Sequence, residues 1–156
     1  MSTPTAPHTT TADTNLADAL AAVTTEIGRT DGKASLLLAF DGAVLAGLAS
    51  LADRHLPTPT VVLGALAVAA LGSATVLLLL VVRPRLGGHD RASFPYWAQL
   101  DEHGIRACMT GDTRAARIRV LSRIALAKFA RLRRAVDCTL AALALLALAA
   151  LAAPLA

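Results

Sequence analysis

Aromatic residues make up only 3% of these 156 residues, and cysteine occurs twice, at Cys108 and Cys138. One lies in a basic connecting segment and the other at the entrance of an apolar run, so they do not suggest a structural disulfide. The four histidines are scattered without ligand spacing; no metal site and no other cofactor are expected. P-loop and Rossmann glycine patterns are missing, the acids do not cluster, and Ser35 and Ser122 lack a positioned His–Asp set. No catalytic residues are therefore assigned, and an enzyme is not expected. The first fourteen residues have neither a basic n-region nor an apolar core. A cleaved signal peptide is therefore not expected, and their Thr/Pro-rich composition predicts a disordered tail over 1–14. Charge is scarce too, at 17% of residues with a mean hydropathy of +0.57, where a soluble domain carries about 25%.

What is abundant is apolar sequence in three runs. Leu36–Ala52 is interrupted by Asp41, Val61–Val82 carries no charge, and Val136–Ala153 has Asp137 near its start. A spanning helix needs roughly 20 mostly apolar residues, so the expected fold is all-α: a polytopic membrane protein with three transmembrane helices, 36–52, 61–82 and 136–153. The connecting pieces are a loop over 53–60 and a basic segment over 83–135. Arg83–Ala135 holds twelve of the fifteen Lys and Arg residues against four acids, whereas the 53–60 loop has only Asp53 and Arg54. Basic residues near span ends stay on the cytoplasmic side. The N-terminus and the basic segment are thus expected inside the inner membrane, with the short loop and the C-terminus outside. Part of the basic excess also attracts anionic lipid, at about 1 kcal/mol per residue near the surface.

Two helices are expected to outrun the membrane. Asn15 with Asp18 three residues on resembles an N-cap with an acid in the first turn, and no proline follows before Pro57. A helix from about Leu16 to Ala52 would project a cytoplasmic stalk over 15–35. Between Gly111 and Pro154 there is neither glycine nor proline, which predicts a second rod. Its cytoplasmic part places Ile118, Leu121, Ala125, Phe129, Leu132 and Val136 three or four residues apart, as one apolar helix face requires. Leu16, Leu20, Val23 and Ile27 form a matching face on the first stalk, so the two stalk extensions are expected to pair. A basic rod lying flat on the membrane is the alternative. Between the rods, Phe94, Tyr96 and Trp97 are three of the five aromatics and suit a membrane interface or, less readily, stacking against a ligand base.

Within the runs, Ala39, Ala43, Gly47 and Ser50 form one stripe of small residues, and Ala65, Ala69 and Ser73 another. Such stripes let helices approach closely, within a chain or between chains; a homo-oligomer is expected, with Gly47 as a packing position. Asp41 lies only about 7–8 Å into its run. As an intramembrane carboxylate it is a gating or packing candidate, with Lys33, Arg83 or Arg134 as partners able to reach that depth. In the segment leading to it, Glu26, Arg29 and Lys33 share one helix face, and Asp31 and Ser35 another. The like charges Arg29 and Lys33, four apart, call for compensation by Glu26 or by an anionic partner.

The segment "RTDGKASLLLAFDG", two closely spaced spans, and much later "RIRVLSRIALAKFARLRRAVDCTLAALALL" resemble the membrane effectors of Pycsar anti-phage systems. The likeness centres on Asp31, Lys33, Ala34 and Ser35 and extends over about Ile27 to Ala153. It implies an effector that answers a cyclic pyrimidine mononucleotide, cUMP or cCMP, made on infection by a partner pyrimidine cyclase. It also implies that the effector impairs the membrane in abortive infection, acting on the lipid bilayer with no nucleic-acid polymer as partner. The chain departs from a nucleotide receptor in lacking a recognisable cyclic-nucleotide-binding domain. A cationic cleft is expected instead from Arg29, Asp31, Lys33 and Ser35 with Arg114, Arg117 and Lys128, brought together if the two rods pair antiparallel. The competing reading is a small structural or signalling membrane protein whose basic stalk binds anionic lipid or a protein partner.

Overall fold

The computed structural model describes residues 10–51, 54, 56–83, 94–108 and 111–153, with the side chains of Phe94 and Pro95 left out. Residues 1–9 of the expected tail, Asp53, and Arg85 and Arg91 of the basic segment lie outside the described residues. The architecture is all-α. In chain order the helices are α1 (Thr11–Ala49), α2 (Thr58–Val82), the short α3 (Phe94–Trp97) and α4 (Glu102–Cys108), and α5 (Arg114–Ala152). Three of them, α1, α2 and α5, are long and apolar enough to cross a membrane. With 39 residues each, α1 and α5 have length for about 58 Å, nearly twice a hydrocarbon core of about 30 Å.

The start of α1 differs from the expected one at Asn15. Thr10 and Asp13 form a reciprocal cap. The Thr10 amide and hydroxyl donate to the Asp13 carboxylate at 3.2 and 2.6 Å, and the Asp13 amide donates to the Thr10 hydroxyl at 3.2 Å. A Thr with a carboxylate three residues on satisfies amides of the first turn from both sides, which is why Thr11–Thr14 are helical rather than tail. Helix α2 begins behind Pro57 with Pro59 in its first turn, where the missing N–H has no helical partner to lose. Before α5, the Asp112 carboxylate accepts the Arg114 amide at 3.0 Å.

The chain divides into two compact units. One is built from Met1–Ile27 and Arg85–Ala125, with half-buried Leu16, Leu20, Val23 and Ile27 on α1 and Ile118, Leu121 and Ala125 on α5. The other is built from Gly28–Pro84 and Leu126–Ala156, and it holds the core.

In this second unit α2 buries Thr60, Ala67, Leu71, Ala74, Leu78 and Val81. Those steps of seven, four and three are the a/d spacing of helices that supercoil around one another. Helix α5 repeats the rule with Leu132, Ala135, Thr139, Ala142 and Ala149, and α1 with Thr30, Ala34 and Asp41. One core cluster joins Ala34, Leu78, Val81, Leu132 and Ala135; the next joins Ala67, Leu71 and Ala142, with Val44, Leu45 and Leu48 against it. Along these clusters the numbering rises in α1 and α5 while it falls in α2. Helices α1 and α5 therefore run parallel, with α2 antiparallel to both, as two consecutive crossings after the first require. The antiparallel pairing of the two rods, on which the cationic cleft was conditional, is therefore not met.

Two further expectations change. Phe129 does not continue the apolar face of α5; it is exposed, and Lys128 occupies the inward position. Ala39, Ala43, Gly47 and Ser50, like Ala65, Ala69 and Ser73, are exposed rather than packed within the chain. A Cβ built at Gly47 meets no atom within 4 Å. Close approach inside the chain is made instead by buried Ala34, Ala67, Ala74, Ala135 and Ala142.

Candidate functional site

The segment between Gly28 and Asp41 belongs wholly to the second unit and supplies two polar links between α1 and α5. In the first, the Lys128 ammonium donates to both carboxylate oxygens of Asp31, at 2.5 and 2.7 Å. Lys128 is the more enclosed partner, its side chain 13% exposed against 37% for Asp31. Asp31, assigned to a ligand site from sequence, is thus the counter-ion of Lys128. Ser35 is also committed, donating its hydroxyl to the Asp31 carbonyl at 3.0 Å, the back-bond by which a hydroxyl on a helix satisfies itself. Arg29 and Lys33 lie on the exposed side of α1.

The second link is deeper. Asp41 is completely buried, and its carboxyl accepts from the Thr139 hydroxyl at 3.1 and 3.3 Å. Seven residues after Ala34, Asp41 continues the same heptad stripe, so it faces the inside of the bundle by register. Lys33, Arg83 and Arg134, the partners expected for it, are not among its hydrogen bonds. A neutral hydroxyl takes their place. Thr139 was not singled out from sequence. Its signal was available: it is the one hydroxyl residue of 136–153 and stands seven residues after Leu132.

In the first unit, Arg114 is held by two carboxylates. It pairs with Asp13 at the start of α1 and with Asp112, the latter at 2.9 Å, and it donates to the Asp13 carbonyl at 2.9 Å. The Thr10 hydroxyl, followed by Arg114, holds the Asp13 carboxyl below its ordinary range. Arg114, through its side chain and then its amide, does the same for Asp112. Asp112 and Asp13 in turn raise Arg114 further above its already high value. Arg114 is thereby a structural clamp at the beginnings of α1 and α5. Arg117 lies over the Trp97 ring, 5.7 Å from its centroid, a cation–π distance. That face of Trp97 is covered, whereas the sequence had left it for a membrane interface or a ligand base.

The residues expected to form one cationic cleft are therefore divided. Arg29, Asp31, Lys33, Ser35 and Lys128 fall in one unit, with Asp31 and Lys128 joined; Arg114 and Arg117 fall in the other and are engaged there. Gly47 stands on the exposed side of α1. No group of three or more His, Cys, Asp and Glu able to hold a metal ion occurs among the described residues.

Three long apolar helices, with polar links inside the bundle and a dense basic end, define an all-α membrane protein. Residues 15–155 match the model of the Pycsar effector protein domain, and the chain belongs to that family as a membrane effector of the Pycsar anti-phage system. No curated protein and no solved structure matches it.

Proposed function

We propose that the chain is a ligand-gated membrane effector, which a cyclic pyrimidine mononucleotide, cUMP or cCMP, converts from a closed bundle into a form that impairs the inner membrane and ends the infected cell. The observation that carries this reading is the family match over residues 15–155, since the family implies a cyclic nucleotide signal and a cyclase that makes it. The effector works as a homo-oligomer, and its partner is a pyrimidine cyclase. The nucleotide phosphate binds at Arg29 and Lys33, which are exposed on another face of α1 than Asp31, and a rotation of α1 that brings it toward Lys128 breaks the Asp31 link. Charge-assisted hydrogen bonds to such a phosphate contribute about 1.5–3 kcal/mol each. Losing the Asp31–Lys128 link loosens α1 from α5 above the Asp41–Thr139 contact, and a bound ligand shifts the bundle only by its preference for the loosened state.

The test is nucleotide-dependent loss of membrane potential in cells, joined to calorimetric binding by the detergent-solubilised protein. Arg29→Ala and Lys33→Ala are expected to abolish both while leaving expression and insertion intact. Asp41→Asn is expected to change the depolarisation without abolishing binding. Equal binding by wild type and both alanine variants would make the charged segment a structural stalk.

A further inference from the structure

At the end of the second unit where α1 is joined to α2, the bundle opens into a cleft of about 480 Å³ between the last turns of α1 and α5 and the first turns of α2. This volume is in the range that holds a bound small molecule. The cleft exists because small residues stand where the three helices need bulk: Gly64 and Ala65 on α2, Ala149, Ala150 and Ala153 on α5. The walls are apolar, from residues such as Leu48, Val68 and Leu146, and Arg54 is the single charged residue that lines them. Arg54 is exposed and belongs to the connection between α1 and α2. Thr60, 9% exposed, also lines the cleft, and its hydroxyl has no hydrogen-bond partner.

We propose that this cleft is a phospholipid site: one acyl chain fills the apolar space, Arg54 holds the phosphate, and Thr60 donates its hydroxyl to a glycerol ester carbonyl. Helices that span a bilayer meet acyl chains on every open apolar surface, so occupancy needs no separate source of ligand. Charge decides between lipid and a second copy of the chain. The same end of a copy offers Arg54 with its sequence neighbour Asp53, which together bring no net charge, whereas a lipid phosphate is complementary to Arg54 and matches its planar guanidinium. The inference is independent of which nucleotide activates the effector.

Native mass spectrometry of the delipidated full chain in detergent, titrated with dioleoylphosphatidylglycerol or with dioleoylglycerol, which lacks the phosphate, tests it. Wild type is expected to hold one phosphatidylglycerol and to bind dioleoylglycerol about tenfold more weakly, the loss of one charge-assisted contact. Arg54→Gln is expected to bind phosphatidylglycerol as weakly as wild type binds dioleoylglycerol. Gly64→Leu fills the cleft, and since a Cβ at Gly64 meets nothing within 4 Å and leucine favours helix over glycine, it is expected to fold and to lose the bound lipid. Ala150→Leu closes the same space from α5 with the same expected loss. Retention of lipid by both filled variants, no preference for the phosphate in wild type, or a copy-to-copy disulfide of Leu56→Cys that displaces the bound lipid would each overturn the site.

Discussion

At the scale of single residues, four of the described carboxylates do three different things. Asp31 neutralises an enclosed lysine, Asp41 is buried against a hydroxyl, and Asp13 and Asp112 clamp Arg114. The last pair carries a pH dependence whose sign is fixed. Both carboxyls titrate below their ordinary value when folded, so their contribution is fully present above that value and is lost as pH falls through the lower, folded one. Trp97, the only tryptophan, sits in the same unit beneath Arg117 and reports on it. Its fluorescence in detergent is expected to stay constant from neutral pH down to about pH 4 and to change only below, where carboxylates protonate. In Asp13→Asn that acid transition should lose its steepest part. A transition centred near neutral pH would mean that other groups hold the unit together.

At the scale of helices, the order and the apolar runs were legible because length, hydropathy and the lack of glycine and proline between Gly111 and Pro154 leave few alternatives to a helix. The inward face was less so. Both Phe129 and Lys128 suit the spacing of α5, and only the presence of Asp31 across from Lys128 decides for the lysine. The direction of pairing was decidable from topology, since the third crossing must run as the first does, yet the cationic residues suggested an antiparallel cleft that the bundle does not form. The small-residue stripes misled for a related reason. In an alanine-rich chain every helix face carries small residues, and which face turns inward is set by where Leu71, Leu78 and Val81 pack. Substitutions separate the two kinds of alanine and glycine. Ala135 is completely buried beside Leu78, Val81 and Leu132, so Ala135→Leu is expected to destabilise the bundle by about 1–3 kcal/mol through overpacking. Gly47→Leu, on an open face, should leave thermal unfolding in detergent unchanged or slightly raised. If that face joins copies of the chain, the same variant loses crosslinked oligomers and toxicity together. Equal destabilisation by both variants would contradict the assigned inward face.

At the scale of the molecule, the second unit has a charge asymmetry that belongs to its crossing pattern. Because α2 runs against α1 and α5, the segments near Gly28, Val82 and Leu126 meet at one end. Arg29, Lys33, Arg83, Lys128, Arg131, Arg133 and Arg134 gather there. At the other end Arg54 is the one Lys or Arg among the described residues. Retention of basic residues on the cytoplasmic side is then expected to orient the unit with its crowded end inward and the Arg54 end outward, with anionic lipid of the inner leaflet adding to the bias. The expected topology has the N-terminus and the 83–135 segment in the cytoplasm and the C-terminus outside. An enzymatic reporter active only in the cytoplasm, fused within 87–106, should be active, and one active only outside should work at Thr58 or after Ala156. Reversing the charge difference requires removing several basic residues at once, so Arg133→Ala alone should leave the reporters unchanged. An external signal from 87–106 in the wild-type chain would refute the orientation, and with it a nucleotide site at Arg29 and Lys33, because a cytoplasmic ligand would then have no access to them.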